Sequence, residues 1–268
     1  LIEAMLLAAI PALTDCNQNG IDDAIEIAKG LAADCQGNGV IDECERGGIE
    51  PLAYWRFEEP GGTTLSDSGP FELDGTTNDT IPTANIGPAT IPQTGMSNFV
   101  ARRIDGNGSV LVDDPSGLLS FGESSFTIEA WVRLDELSNT DGPNQRQTLV
   151  QKKELSAGGA TTDYLVLVQA GDASVTSDSN YGKTSDLTGR EIAIVFGSGS
   201  DTWIATSSLQ IRDNDWHHVS VSHDGDNGKI RFTLDGRVSV VTPDRSDHTT
   251  NNGPLLIGAH TNAAGNFN

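Results

Sequence analysis

The sequence predicts a mainly β chain: an antiparallel β-sandwich of jelly-roll type, with a small loop-and-short-helix region in front of it. Three observations carry that prediction. From residue 52 onward short runs alternate apolar and polar residues, the period-2 signature of strands with one buried face. Gly, Asn, Asp and Pro separate those runs and turn the chain every few residues. Helical periodicity is almost missing from the same stretch, so the strands have mainly one another to pack against. A chain of 268 residues has room for one large β domain and a small appendage.

Taken in order, residues 1–14 are an apolar N-terminal segment. Ile2, Leu6, Ala9 and Leu13 fall on one helical face, which predicts a short helix limited by Pro11. The tail of a trimmed signal sequence is the other reading. The segment lacks a basic flank and is too short to span a bilayer.

Residues 15–46 say one thing twice. Asp15, Asn17, Asn19, Gly20, Ile21, Asp23 and Glu26 are answered by Asp34, Gln36, Asn38, Gly39, Val40, Asp42 and Glu45. Oxygen side chains at loop positions 1, 3 and 5, glycine at 6, a backbone carbonyl at 7, an acid at 9 and a carboxylate at 12 surround a hard cation that takes six to eight oxygens. Ca²⁺ is therefore the expected cofactor, with Ile21 and Val40 lending carbonyls. Gln36 puts a neutral, longer ligand in the second loop, which is expected to be the weaker. The same residues also make solvated Asx turns without metal, but two in-register copies argue for a site. After Glu26 the run 27–33 is read as a short helix, with Gly30 as its weak point or cap. Residues 47–51 form a linker rich in Gly and Pro.

All three cysteines, Cys16, Cys35 and Cys44, lie in the repeats. One disulfide with one thiol left over is the simplest arithmetic, and the sequence leaves the pairing open. Thiolate ligation of a metal competes with that reading, but the surrounding oxygens select calcium over zinc. The formal charge of −22 argues against a nucleic-acid partner, which would need clustered Lys and Arg. It suits a secreted, calcium-rich setting.

Residues 52–268 make up the sandwich. The clearest strand is 126–134, where Phe126, Ile128, Ala130, Val132 and Leu134 share a face. Further strands are expected at 147–152, 164–169, 191–196, 216–222, 229–234 and 237–241. The turn at 224–228 makes a hairpin that sets Ile230, Phe232 and Leu234 beside Val219 and Val221. Trp55 and Trp131 sit in strands and are assigned to the core. Trp203 and Tyr181 stand in loop-like contexts and are the candidate stacking surfaces for a sugar ring. His217 and His218, adjacent on a strand, point to opposite faces and are read as structural.

Several segments resemble, in order, the laminin G-like members of the concanavalin A-like lectin and glucanase superfamily. They are 52–59 around Tyr54-Trp55-Arg56-Phe57, then Leu65-Ser66-Asp67-Ser68-Gly69, 126–134, Trp216-His217-His218-Val219, Phe232-Thr233-Leu234-Asp235-Gly236 and Leu255-Leu256-Ile257-Gly258. The resemblance implies a jelly roll and a rim cation at Asp67. It also implies a closing strand after a Gly-x-Phe-Asn-Gly turn, which this sequence does not contain. The expectation is a fragment of a longer protein, or a gap filled by residues 1–10 of a neighbouring copy. The loops resemble dockerin or thrombospondin type 3 repeats, as in surface proteins of planctomycete-type bacteria, which implies an extracellular or cell-surface address.

Paired glycosidase carboxylates, a Gly-x-Ser-x-Gly elbow, a His-Glu-x-x-His helix and a phosphate loop are not found in the sequence. Glu129 is read as part of a solvated strand face. The expectation is a non-catalytic, calcium-binding extracellular module for adhesion or for recognising a glycan or protein. The alternative is a structural subunit of a calcium-stabilised filament or layer, assembled from copies of itself by strand exchange. A dockerin-like partner tag is a third reading.

Overall fold

The computed structural model describes residues 21–32, 51–77, 83–84, 90–91, 96–97, 100–104, 109–134, 146–156, 159–169, 180–181, 190–198, 201–243 and 248–258. The loop residues Asp15, Asn17, Asn19, Asp34, Gln36, Asn38, Val40, Asp42 and Glu45 lie outside them, as do the three cysteines and residues 1–14. The chain divides into two compact units, Leu1–Leu52 and Ala53–Asn268.

In the first unit the helix α1 spans Asp23–Lys29. It begins earlier than the expected run at 27–33 because Asp22 caps it: the Asp22 carboxylate accepts the Ala24 N–H at 3.1 Å. It ends earlier because Gly30 takes the left-handed conformation (φ 65°), and its N–H closes the last turn onto Glu26 and Ile27 carbonyls.

The second unit is a sandwich of two sheets, antiparallel except for one parallel pair at the edge of the larger, together with small ribbons. Its first seven strands are β1 (Thr64–Leu65), β2 (Gly75–Thr77), β3 (Thr83–Ala84), β4 (Thr90–Ile91), β5 (Met96–Ser97), β6 (Ala101–Arg102) and β7 (Val110–Val112). There follow β8 (Phe126–Val132), β9 (Arg146–Ser156), β10 (Gly159–Gln169), β11 (Asn180–Tyr181), β12 (Glu191–Ser198) and β13 (Asp201–Gln210). The last are β14 (His217–His223), β15 (Ile230–Leu234), β16 (Arg237–Val241) and β17 (Leu255–Ile257). The large sheet runs β1-β2-β7-β17-β9-β10-β12-β13-β11 and the small one β16-β15-β14-β8, while β3-β6 and β4-β5 are two-stranded ribbons.

Alternation explains the core. Val219 pairs with Leu234, Val221 with Phe232 and His223 with Ile230, so all six project inward. The five apolar ones meet Val110, Val112, Tyr164, Val166, Val168, Ile192, Ile194, Phe196 and Trp203 from the large sheet in one buried cluster, and the His223 ring lies 6.2 Å from that of Phe196. Strands β10 and β12 read as nearly continuous apolar runs for a different reason. Leu165, Leu167, Ala193, Val195 and Ile204 form a second buried cluster on the opposite face of that sheet.

A buried polar network fixes the loop that leads into β8. Lys152 and Asp114 are both fully buried and pair at 2.7 Å, and the Lys152 ammonium also donates to the Gly253 carbonyl. The Asp114 carboxylate accepts the N–H groups of Leu118 and Leu119. Asp163 does the same for Phe121 and Gly122 and accepts the Ser120 hydroxyl at 2.6 Å. Asn251 completes the join, its N–H donating to Ser120 and its amide to the Thr161 carbonyl. Gly253 passes so close to β9 that a Cβ there would collide with the Lys153 backbone. These bonds satisfy groups that would otherwise be costly to bury.

Candidate functional site on the outer face of the small sheet

The strand alternation that buries Phe126, Ile128 and Val132 sends Thr127, Glu129 and Trp131 outward. Register then assembles a surface. Trp131 lies opposite His218, Glu129 opposite Ser220 and Thr127 opposite Ser222. Ser220 and Ser222 lie opposite Thr233 and Arg231, which face Val238 and Val240 of β16. The middle of the face is therefore a floor of Ser and Thr side chains, with larger groups at its margins.

At one end stands an aromatic group. The Trp131 and His218 rings are 5.4 Å apart, tilted by 51°. His218 Nε2 lies 3.6 Å from a Glu129 oxygen, in a contact looser than a good hydrogen bond. The Arg133 guanidinium sits over the Trp216 ring at 5.6 Å, a cation–π contact that pre-orders both side chains. Glu129, Thr127, Arg231, Val238 and Val240 are exposed, whereas Trp131, His218 and Trp216 are half-buried. A half-buried indole offers part of its ring to a flat ligand and is held in place by the rest.

Beneath this end His217 faces the other way, as strand alternation requires. Its Nδ1 meets Asp235 at 2.7 Å and its Nε2 meets Asp213 at 2.9 Å. Burial alone would lower its pKa, but the two carboxylates outweigh that and hold the imidazole above the ordinary histidine value. Stability from this clamp is full below the unfolded value of about 6.5 and is lost as pH rises through the raised folded value. Thermal melts from pH 6 to pH 8.5 are thus expected to fall more steeply for the native chain than for His217→Gln. Parallel profiles would contradict the clamp.

The structure relocates the residues chosen from sequence. Trp203 is corrected: it stands within β13, fully buried, stacked on Phe196 at 4.7 Å, and has no face to give a ligand. Tyr181 belongs to β11 rather than a loop, paired in parallel with Ala205. Trp131, assigned to the core, is the indole on the outer face. Asp67 joins two segments. Its carboxylate accepts N–H groups from Tyr54 (2.6 Å), Gly69 (2.8 Å) and Leu73 (2.9 Å), so it ties the 53–57 segment to the 66–74 turn. Three converging N–H groups favour the ionised carboxylate. Of the loop ligands among the described residues, Ile21 is exposed, Asp23 opens α1, and Glu26 is buried.

Comparison with known proteins fixes the relationship. The laminin G profile described as the concanavalin A-like lectin/glucanases superfamily matches residues 105–268. The chain belongs to this family. Its laminin G-type sandwich is matched by domain 4 of AbnA, a GH43 extracellular arabinanase from Geobacillus stearothermophilus, in complex with arabinotriose. That match has 17% identity and a TM-score of 0.45, and covers 72% of this chain and 77% of that one. The binding domain of botulinum neurotoxin DC in complex with SialylT matches at 10% identity and a TM-score of 0.47, covering 78% and 42%. The enzymatically active domain of bacteriophage CBA120 tailspike protein 2 matches at 12% identity and a TM-score of 0.36, covering 72% and 27%. Curated protein sequences give no match. Among the described residues no helix is long and apolar enough to cross a membrane.

Proposed function

We propose that this laminin G-type sandwich is an extracellular carbohydrate-recognition module, binding through Trp131 and His218 on the outer face of the small sheet. The observation that carries the reading is the placement of that pair, held beside a floor of Ser220, Ser222, Thr127 and Thr233. An indole face stacks on the C–H face of a sugar, and hydroxyls and imidazole meet its polar edge. Membership of a lectin and glucanase family supports the same reading. The reading is recognition rather than cleavage. Glycoside hydrolysis uses two carboxyl groups about 5–10 Å apart, and Glu129 is the one acid at the outward register positions of β8, β14, β15 and β16. Trp131→Ala is expected to weaken oligosaccharide binding about tenfold or more while changing the melting temperature little. Calorimetric titration checks it, and release of reducing ends during the titration would overturn the non-catalytic part.

The first unit is proposed to be stabilised by calcium. What supports this reading is the repeat itself, two in-register copies of an oxygen-rich loop pattern. A cation in the first loop would take its oxygens from Asp15, Asn17, Asn19, the Ile21 carbonyl, Asp23 and Glu26, and the second loop would supply a weaker site.

One observation favours the filament reading. Among the described residues β8 is the edge of the small sheet, and Ala130, on its core-facing side, is exposed. An edge open on that side is a template for a strand from another copy. Size measurement and melting with calcium and after chelation separate the two readings. A monomer whose melting temperature falls on chelation fits the module, and filaments lost on chelation fit the alternative. Identical melts in both states would contradict calcium stabilisation.

A further inference from the structure

The geometry points to an acidic glycan as the ligand of this face: a chain of about three sugar units lying obliquely across β14, with its aromatic contact at Trp131 and a carboxylate or sulfate at Arg231. The inference rests on the carbohydrate reading above and adds the charge and the length of the ligand.

Charge comes first. The chain carries 38 acidic and 16 basic residues, so a surface taken at random is negative. The outward face of the small sheet departs from that. Its register positions hold Arg231 against the single acid Glu129, and Arg133 adds a second guanidinium at the end beside Trp216. Arg231 is exposed, and its neighbours across the strands are Ser222 and Val240. A guanidinium flanked by a hydroxyl and an aliphatic side chain presents its fork to the ligand, and that fork matches a carboxylate or sulfate. In a protein of charge −22 such a face would also steer an anionic polymer to one orientation.

Length follows from the register. Arg231 lies opposite Ser222, and His218 lies opposite Trp131, four residues along β14. At about 3.4 Å per residue the offset along β14 is about 14 Å, and because β15 and β8 flank β14 on opposite sides at about 4.8 Å each, Arg231 and Trp131 are about 17 Å apart on a line oblique to the strands. Between them the floor is Ser220, Thr233, Thr127 and Ser222, small enough to admit a chain and rich in groups that donate and accept. Thr127 and Ser222 already share a hydroxyl–hydroxyl bond at 3.0 Å, so that part of the floor is ordered before a ligand arrives. Val238 and Val240, each half-exposed, form the opposite wall. They can cover the apolar edge of a pyranose without competing for its hydroxyls.

The test uses the full chain with calcium and three matched pairs of probes: trigalacturonate with galactotriose, trimannuronate with mannotriose, and sialyllactose with lactose. At low salt at least one acidic probe is expected to bind about tenfold tighter than its neutral partner. Arg231→Gln is expected to erase that difference and leave the neutral affinity unchanged, and salt is expected to weaken only the acidic probe. Equal affinities within every pair, or an Arg231→Gln loss shared by both members, would overturn the acidic preference. If Trp131→Ala still abolished binding then, the carbohydrate reading would survive without it. Failure of all six probes to bind would overturn both.

Discussion

Replacing Lys152 with methionine is expected to destabilise the sandwich by about 3–5 kcal/mol, because it leaves a buried carboxylate without its cation. Lys152 is 0% exposed and its ammonium is 2.7 Å from Asp114. Burial pushes the Asp114 carboxyl up, but the bonds from Lys152 and from the Leu119 and Leu118 N–H groups pull harder and hold it below the ordinary aspartate value. The stability that Asp114 contributes is thus present above its unfolded pKa of about 3.9 and lost as pH falls through the depressed folded value. Asp163 differs. Burial raises its pKa despite bonds from Ser120, Gly122 and Phe121, and Lys152 is the cation that opposes the rise. Removing Lys152 therefore strips the counter-charge from two buried acids. Urea unfolding at pH 7 measures the loss. The double variant Lys152→Met with Asp114→Leu is expected to recover part of it, since removing both charges removes the unpaired one. A single variant as stable as the native chain would show that the network is not held by this pair.

Trp203→Ala is expected to cost about 3–5 kcal/mol through the cavity it opens. The indole is fully buried, stacked on Phe196 at 4.7 Å and edge-on to His248 at 5.6 Å. Trp131→Ala changes the same residue type on the other sheet, where the ring is half-exposed beside His218. The two variants are expected to separate cleanly: the first loses stability and the second loses ligand. Denaturant unfolding of both, with oligosaccharide titration of whichever stays folded, reads the contrast. If Trp203→Ala unfolded at the native denaturant concentration, the core assignment would fail.

Trp131 and Trp203 also show how far the sequence can be read. The period-2 run through Phe126, Ile128, Ala130 and Val132 announces its strand, and so does the hairpin pairing Val221 with Phe232. Turns at 224–228 and 235–236 follow from their Gly and Asp content, and Asp235 and Gly236 both take positive φ. β13 was harder to see. Its central residues are buried on both faces, Trp203 and Ala205 in one cluster and Ile204 in the other, so alternation is erased and the flanking Asp and Ser residues read as loop. The outer face was hidden for a related reason. Its residues come from four strands, and only register tells that Trp131 neighbours His218 or that Arg231 shares a trough with Ser222. One signal was available: Trp131 lies out of phase with the apolar residues of its own strand. Asp67 was legible as a landmark, but its three N–H partners lie at Tyr54, Gly69 and Leu73, a spread that no local motif reveals.

The central claim is that the outer face of the small sheet binds carbohydrate. Amide chemical-shift mapping of the ¹⁵N-labelled chain during titration with trigalacturonate and galactotriose tests it most directly. The account predicts shifts at Thr127, Glu129, Trp131, His218 and Ser220 with either probe, joined by Arg231 with trigalacturonate alone, and little change in β10, β12 or β13. Saturable shifts centred on the large sheet, with the residues of the outer face unmoved, would contradict it.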